Sequence, residues 1–203
     1  MTTQPPAPSI SVVVLSHKAP ASLVDAVRSL QTGQMSCEIV VVNSGGGGTQ
    51  RLLELAGTKC RVIEHRERLN PGAVRNIGIR ETSGDIVAFL ADDCRAAPGW
   101  ISARLVHHAA GNRVVASALV PDRPDHLVNL ASHIMLFGRR MPQCPATEAQ
   151  LYGASYRRSI FEQYGYFRED LLTGEDTDFH ARLSPEDRPA WAPDVLTVHR
   201  GPS

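Results

Sequence analysis

Three continuous apolar runs, ISVVVLS (10–16), EIVVVNS (38–44) and DIVAFL (85–90), constrain this chain more than any other feature. A strand that is apolar and β-branched at successive positions has no face to give to water, so both of its faces must be covered. The intervening segments supply the cover. Leu23, Val24, Val27 and Leu30 recur at helical spacing, with Gly33 as the stop. TQRLLELAG reads as a short helix, RVIEH as a short strand, GWISARLVHHAAG as a further helix and RVVASALV as a strand. NPGAVRNIGIRETSG has Pro71 near a helix start and Gly84 past its end. Alternating strands and helices predict an α/β fold: a Rossmann-like, mostly parallel central sheet flanked by helices. Such sheets bind ligands outside the carboxyl ends of their strands. Ser16, Asn43 and the Asp92–Asp93 pair stand at those ends.

The rhythm breaks after Val120. The segment PDRPDHLVNLASHIMLFGRRMPQCPATEAQ is rich in proline and weakly periodic. It is expected to be irregular, a flap over the cleft, with one helix around Leu127 to Phe137. Regular structure then resumes: a strand and short helix in LYGASYRRSIFEQYGYF, a helix opening on Glu175, Asp176 and Asp178, and a last strand carrying His199. Residues 1–9, MTTQPPAPS, are expected to form a flexible tail, and residues 10–203 a single domain. With 42% apolar residues in 203, that domain has ample core. A net charge of zero offers nothing to nucleic acid. Four scattered cysteines with no CxxC pair argue for free thiols and a cytoplasmic protein. No apolar run reaches the ~18 residues of a membrane helix; peripheral membrane contact stays open.

Each chemical motif has a plainer counterpart. Adjacent carboxylates at a strand end suit Mg²⁺ or Mn²⁺, which take oxygen ligands, but Asp92 and Asp93 could equally cap a turn. Acids at a helix start complement its dipole, yet three within four positions exceed what a cap needs. Arg75 alone reads as a solvated helix charge, and His199 alone as packing. SGGGGT lacks the spacing of a phosphate-binding loop and reads as a permissive turn. Tyr152, Tyr156, Tyr164 and Tyr166 read first as packing residues.

Taken in order, these segments resemble the family 2 inverting glycosyltransferases of the GT-A fold, over roughly Ile10 to His199. The segments are SVVVLSHKAPASLVDAVRSL, EIVVVNSG, NPGAVRNIGI, GDIVAFLADDCRAAPGW and GASYRRSIFEQYGYFREDLLTGEDTDFHARL. The resemblance implies a hexosyltransferase-like enzyme that moves a sugar from a nucleoside-diphosphate sugar, UDP-linked first of all, to an acceptor hydroxyl. It implies a divalent metal, Mn²⁺ or Mg²⁺, on Asp93 and His199. Donor contacts fall to Ser16, Asn43, Arg75 and Asp92. Asp176 is implied as catalytic base, with Glu175 beside the acceptor. Residues 10–119 form the donor half and 120–203 the acceptor half. Ala91 stands where the family's Asp-x-Asp motif has its first acid, leaving an x-Asp-Asp form; this bears on donor affinity more than on activity. Asn43 replaces an acid that reads the uracil edge. An amide both donates and accepts, so base preference is expected to relax or change. Lys18 stands where asparagine is frequent.

Other readings remain. A catalytically degenerate GT-A protein that binds nucleotide or sugar alongside a partner is consistent with Ala91, Asn43 and the short chain. A nucleotidyltransferase would carry a glycine- and arginine-rich loop after its first strand, which LSHKAPAS lacks. A purely structural protein leaves the Asp-Asp, Glu-Asp and His constellation without a purpose.

Overall fold

The computed structural model describes residues 8–32 and 35–201; Gly33 and residues 1–7 of the expected tail lie outside them. Its last residue, Ser9, is anchored: the Ser9 N–H and hydroxyl donate to Asp85 Oδ2 at 2.8 and 2.7 Å. The strand–helix alternation runs as β1 (Ile10–His17), α1 (Ser22–Gln31), β2 (Glu38–Ser44), α2 (Thr49–Leu55), β3 (Arg61–Glu64), α3 (Pro71–Arg80) and β4 (Ile86–Ala91). Then follow β5 (Cys94–Ala96), α4 (Trp100–Ala109), β6 (Val114–Pro121), α5 (Leu127–Phe137), β7 (Ser155–Arg157), α6 (Ser159–Tyr164), α7 (Glu175–Arg182) and β8 (Ala190–His199).

All eight strands join one sheet in the order β3-β2-β1-β4-β7-β6-β8-β5. The first four are mutually parallel, as are β6 and β8. β7 runs antiparallel between β4 and β6, and β5 antiparallel along β8. The sheet is therefore mostly parallel, and its two reversed strands are the shortest. Neighbouring residues of β1 enter different cores. Val12 and Val14 pack with Leu23 and Val27 of α1 and Trp100 of α4. Val13 packs with Val74 and Ile79 of α3, Phe161 of α6 and Phe179 of α7. Side chains alternate across a strand, so a strand covered on both faces needs apolar residues at every position. That is the physical content of the unbroken VVV runs.

α3 lies unusually close to its neighbours. A Cβ on Gly78 would stand 2.2 Å from Val13 Cγ1, and one on Gly72 2.0 Å from the Arg168 carbonyl oxygen. Both positions therefore require glycine for space.

The segment after Val120 is more ordered than its composition suggests. α5 spans the stretch expected to be helical, but its polarity is inverted. Asn129 and His133 are buried, whereas Leu127, Val128, Ile134, Met135 and Leu136 are 51% to 86% exposed. β5 has no counterpart in the sequence reading, because three residues between two turns carry no periodicity. It exists because β8 offers it an edge. All four cysteines are free. Among the described residues, no helix is long and apolar enough to cross a membrane.

Candidate active site

The parallel register aligns the strand ends. Ser16 of β1 sits opposite Asn43 of β2, and Leu15 opposite Ala91 of β4. Asp92 follows directly. Its N–H donates to the Leu15 carbonyl at 3.0 Å and its Oδ2 accepts the His17 N–H at 3.1 Å. Burial pushes the Asp92 carboxyl above the usual carboxylate range, against the lowering effect of the His17 N–H. Ser16 Oγ is buried beside this carboxylate and also lowers the Asp92 pKa.

Asn43 is fully buried. Its Oδ1 accepts the Ala19 N–H at 3.1 Å and its Nδ2 donates to the Gly46 carbonyl at 2.7 Å. Both ends of the amide therefore tie the loop after β1 to the loop after β2. The glycine loop is similarly occupied. The N–H groups of Gly45, Gly46 and Gly48 donate to Glu67, His65 and Glu64. A Cβ on Gly45 would meet the His17 ring at 2.7 Å, and one on Gly47 the Lys18 carbonyl at 2.7 Å. These glycines allow two loops to pack rather than cradle an anion.

Asp93 and His199 come together through β5 and β8. Cys94 pairs with His199 across the two strands, and the Arg200 N–H donates to the Asp93 carbonyl at 3.0 Å. His199 Nε2 lies 3.5 Å from Asp93 Oδ2. The Gly201 N–H donates to His199 Nδ1 at 3.1 Å, which leaves the ring proton on Nε2, facing Asp93. The His199 contact holds the Asp93 carboxyl below its usual range. Phe137 of α5 packs edge-on against the His199 ring at 4.8 Å. Among the described residues, no group of three or more His, Cys, Asp or Glu side chains could hold a metal. One carboxylate and one imidazole still fit Mg²⁺ or Mn²⁺, which take few protein ligands and complete their shell with phosphate oxygens and water. They do not fit a closed zinc site.

The second cluster joins α3 to α7. Arg75 Nε donates to Glu175 Oε1 at 3.0 Å, and the guanidinium lies 4.9 Å from the Phe89 ring centroid. Arg75 is thus a largely buried ion-pair partner, not a solvated helix charge. Asn76, the next residue, clamps the chain just before α7. Its Nδ2 donates to the Phe167 carbonyl and to Glu169 Oε1 at 2.8 Å, and its Oδ1 accepts the Phe167 N–H at 3.1 Å. α7 begins after Gly174, which adopts φ of 80°. Glu175 is buried under Arg75. Asp176 is half-buried, and its Oδ1 accepts the Thr177 N–H at 2.9 Å.

Of the four tyrosines, Tyr156 is buried and bonds His180 Nε2 at 2.8 Å, while Tyr164 bonds Asp187 at 2.7 Å. Tyr166 stacks on Phe161. Tyr152 reaches α7, with its hydroxyl 3.0 Å from Thr177 Oγ1. Burial holds the His180 imidazole neutral, its pKa lowered to about 4. Sequence reasoning missed Asn76, His180 and Arg140, which sits in a short 3₁₀ turn, Gly138–Arg140, after α5. The only signal for Arg140 was an arginine pair in the least periodic part of the chain.

Comparison with known proteins bears on the family and the fold. The model of the glycosyl transferase family 2 matches residues 11–165. The pre-mycofactocin glycosyltransferase of Mycobacterium tuberculosis is 27% identical over 185 residues, covering 85% of this chain but 39% of that protein. The uncharacterized glycosyltransferase YwdF of Bacillus subtilis is 26% identical over 213 residues, covering 94% and 73%. Among solved structures, S. aureus TarS 1-349 in complex with UDP superposes with a TM-score of 0.73 at 17% identity, over 95% of this chain and 60% of that one. The mannosyltransferase PcManGT from Pyrobaculum calidifontis, in complex with GDP-Man and Mn²⁺, gives 0.69 at 20% identity, over 97% and 58%. The fold is that of the GT-A enzymes, and on the family match across most of its length the chain belongs to the family 2 glycosyltransferases.

Proposed function

We propose that this chain transfers a sugar, with inversion, from a nucleoside-diphosphate sugar to an acceptor hydroxyl. The observation that carries the reading is the Asp93–His199 pair, 3.5 Å apart at the strand ends, in a family 2 chain with an acid-rich helix start at Glu175. Asp176 is the base. It takes the proton of the acceptor hydroxyl as that oxygen bonds to the anomeric carbon. The bond from that carbon to the β-phosphate oxygen breaks, and its electron pair leaves with the nucleoside diphosphate. Being half-buried with one backbone partner, Asp176 keeps lone pairs free for this task. Glu175, locked to Arg75, positions the start of α7 beside the acceptor rather than moving a proton. Asp93 and His199 are the residues that would hold Mn²⁺ or Mg²⁺, which when bound neutralises charge on the leaving diphosphate. Ser16 and Asp92 line the donor side. Asn43 and Arg75 shape that side from behind, through the loop and the ion pair.

Residues 10–119 form the donor half and 120–203 the acceptor half in this reading, with His199 returning from the second to complete the metal pair of the first. A UDP-sugar is the donor we favour; TarS structures with UDP and with UDP-GlcNAc support it, and the GDP-Man complex of PcManGT makes GDP the nucleotide to test beside it. Calorimetric titration with UDP, GDP and TDP, in Mn²⁺ and in EDTA, tests the reading. Binding of one nucleotide that weakens in EDTA and in Asp93→Ala is expected. Equal affinity with and without metal in the wild type would remove Asp93 and His199 from the donor site.

A further inference from the structure

Six arginines are buried or half-buried among the described residues: Arg75, Arg104, Arg113, Arg140, Arg157 and Arg158. Five have acceptors. Arg75 bonds Glu175 and Arg113 bonds Asp187. Arg104 donates to the Val115 and Gly153 carbonyls, Arg157 to the His108 carbonyl, and Arg158 to the Gly84 and Ile79 carbonyls. Among the described residues Arg140 has none: its Nε is buried without a hydrogen-bond partner, and no carboxylate lies within ion-pair distance. A cation taken out of water without a counter-charge is costly, and the chain has built a place for one.

That place is specific. The Arg140 guanidinium lies 5.9 Å from the ring centroids of both Phe137 and Tyr152. The backbone also comes close: a Cβ on Gly153 would stand 2.8 Å from Arg140 Nη2. Aromatic rings engage a guanidinium through their π faces and accept no in-plane N–H bond, so the donor fork keeps its capacity for an oxyanion. The two rings reach opposite ends of the site: Phe137 packs against His199 at 4.8 Å, and the Tyr152 hydroxyl lies 3.0 Å from Thr177 Oγ1 on α7. The residue therefore lies between the two ends of the proposed reaction.

Resting on the function proposed above, the geometry points to Arg140 as a positioning residue for the donor, its guanidinium clamping the β-phosphate. A diphosphate that runs from the Asp93–His199 pair toward a sugar beside Asp176 must pass between those groups. There Arg140 supplies two parallel charge-assisted bonds, and it faces the oxygen that receives the electron pair when the glycosidic bond breaks. This also bears on Ala91. A donor site that lacks the first acid of its metal motif gains a fixed cation that needs no metal.

The test compares di- and monophosphates. For whichever of UDP, GDP or TDP binds the wild type, Arg140→Gln is expected to weaken the diphosphate at least about tenfold and to leave the corresponding monophosphate unchanged. A purely structural arginine would weaken both alike. Inorganic pyrophosphate should compete for the wild type and not for the variant. If Arg140→Gln does not fold, Arg140→Lys carries the comparison. It keeps the charge and loses the fork, and a loss confined to the diphosphate is again expected. Unchanged diphosphate affinity in a folded variant overturns the assignment to Arg140 alone. A wild type that binds no nucleotide overturns the assignment together with the donor site on which it rests.

Discussion

Asp93 and Asp92 are neighbours in the chain with opposite surroundings. Asp93 faces the His199 ring, which favours its ionised form, while burial disfavours that form at Asp92. Side-by-side acids in a sequence look interchangeable; backbone direction separates them, one turned toward β8 and the other back onto the His17 N–H. A similar division falls on Glu175 and Asp176. Glu175 is paired with Arg75, and Asp176 is the acid that the proposed mechanism assigns to the acceptor. Asp176→Asn keeps the shape and the Thr177 contact but cannot accept a proton. It is expected to bind donor like the wild type while transfer falls at least about a hundredfold. Turnover near the wild-type value, measured with donor and acceptor saturating, would reject Asp176 as the base.

At the scale of elements, α3 does more than cover the sheet. One turn of it carries the ion pair to Glu175, and the next residue clamps the Phe167–Glu169 segment. Gly78 and Gly72 let the helix sit close enough for both. Gly78→Ala drives a methyl into Val13 and is expected to cost about 1–3 kcal/mol of stability by overpacking, read as a lowered thermal midpoint. An unchanged midpoint would mean that the β1–α3 spacing is not fixed by this glycine. α5 gives the opposite lesson. Its apolar residues predict a helix, and a helix forms, but the buried face is the one with Asn129 and His133. His133 donates to the Leu119 carbonyl and its ring lies 5.3 Å from Phe137. Polar contacts behind His199 chose the inward face, which hydrophobic periodicity does not encode.

Across the whole molecule, neutral buried histidines link stability to pH. His108 is fully buried, its ring bonded to the Asn112 carbonyl at 2.8 Å and to Ser155 Oγ at 2.9 Å. Desolvation lowers its pKa from the ordinary 6.5 to about 4, and burial does the same at His180. In the unfolded chain these rings protonate below about 6.5, and in the fold only near 4, so the unfolded state binds more protons between those values. Their stabilising contribution is thus complete above pH 6.5 and is lost as pH falls toward 4; for His108 it is on the order of 3 kcal/mol. Urea midpoints should fall steadily on going from about pH 7 to about pH 4.5. His108→Gln, which can still donate and accept, should flatten that slope, and a wild-type midpoint constant across the range would contradict the neutral burial of these rings. By itself, the sequence determined the alternation of β1 to β4 with their helices. A strand covered on both faces and an amphipathic helix are each written in local spacing. It also determined that Ser16, Asn43 and Asp92 stand at the carboxyl ends of strands, since parallel connections return every strand in the same direction; that β4 lies beside β1 came from the structure. Only the tertiary structure decided that Asp93 meets His199, that Asn43 spends its amide on two loops, that Arg75 is buried against Glu175, and that Arg140 Nε is buried with no hydrogen-bond acceptor among the described residues. Those contacts join residues far apart in the chain, through β5 pairing with β8 and α7 packing under α3, and no periodicity in a single segment records what its side chains will face.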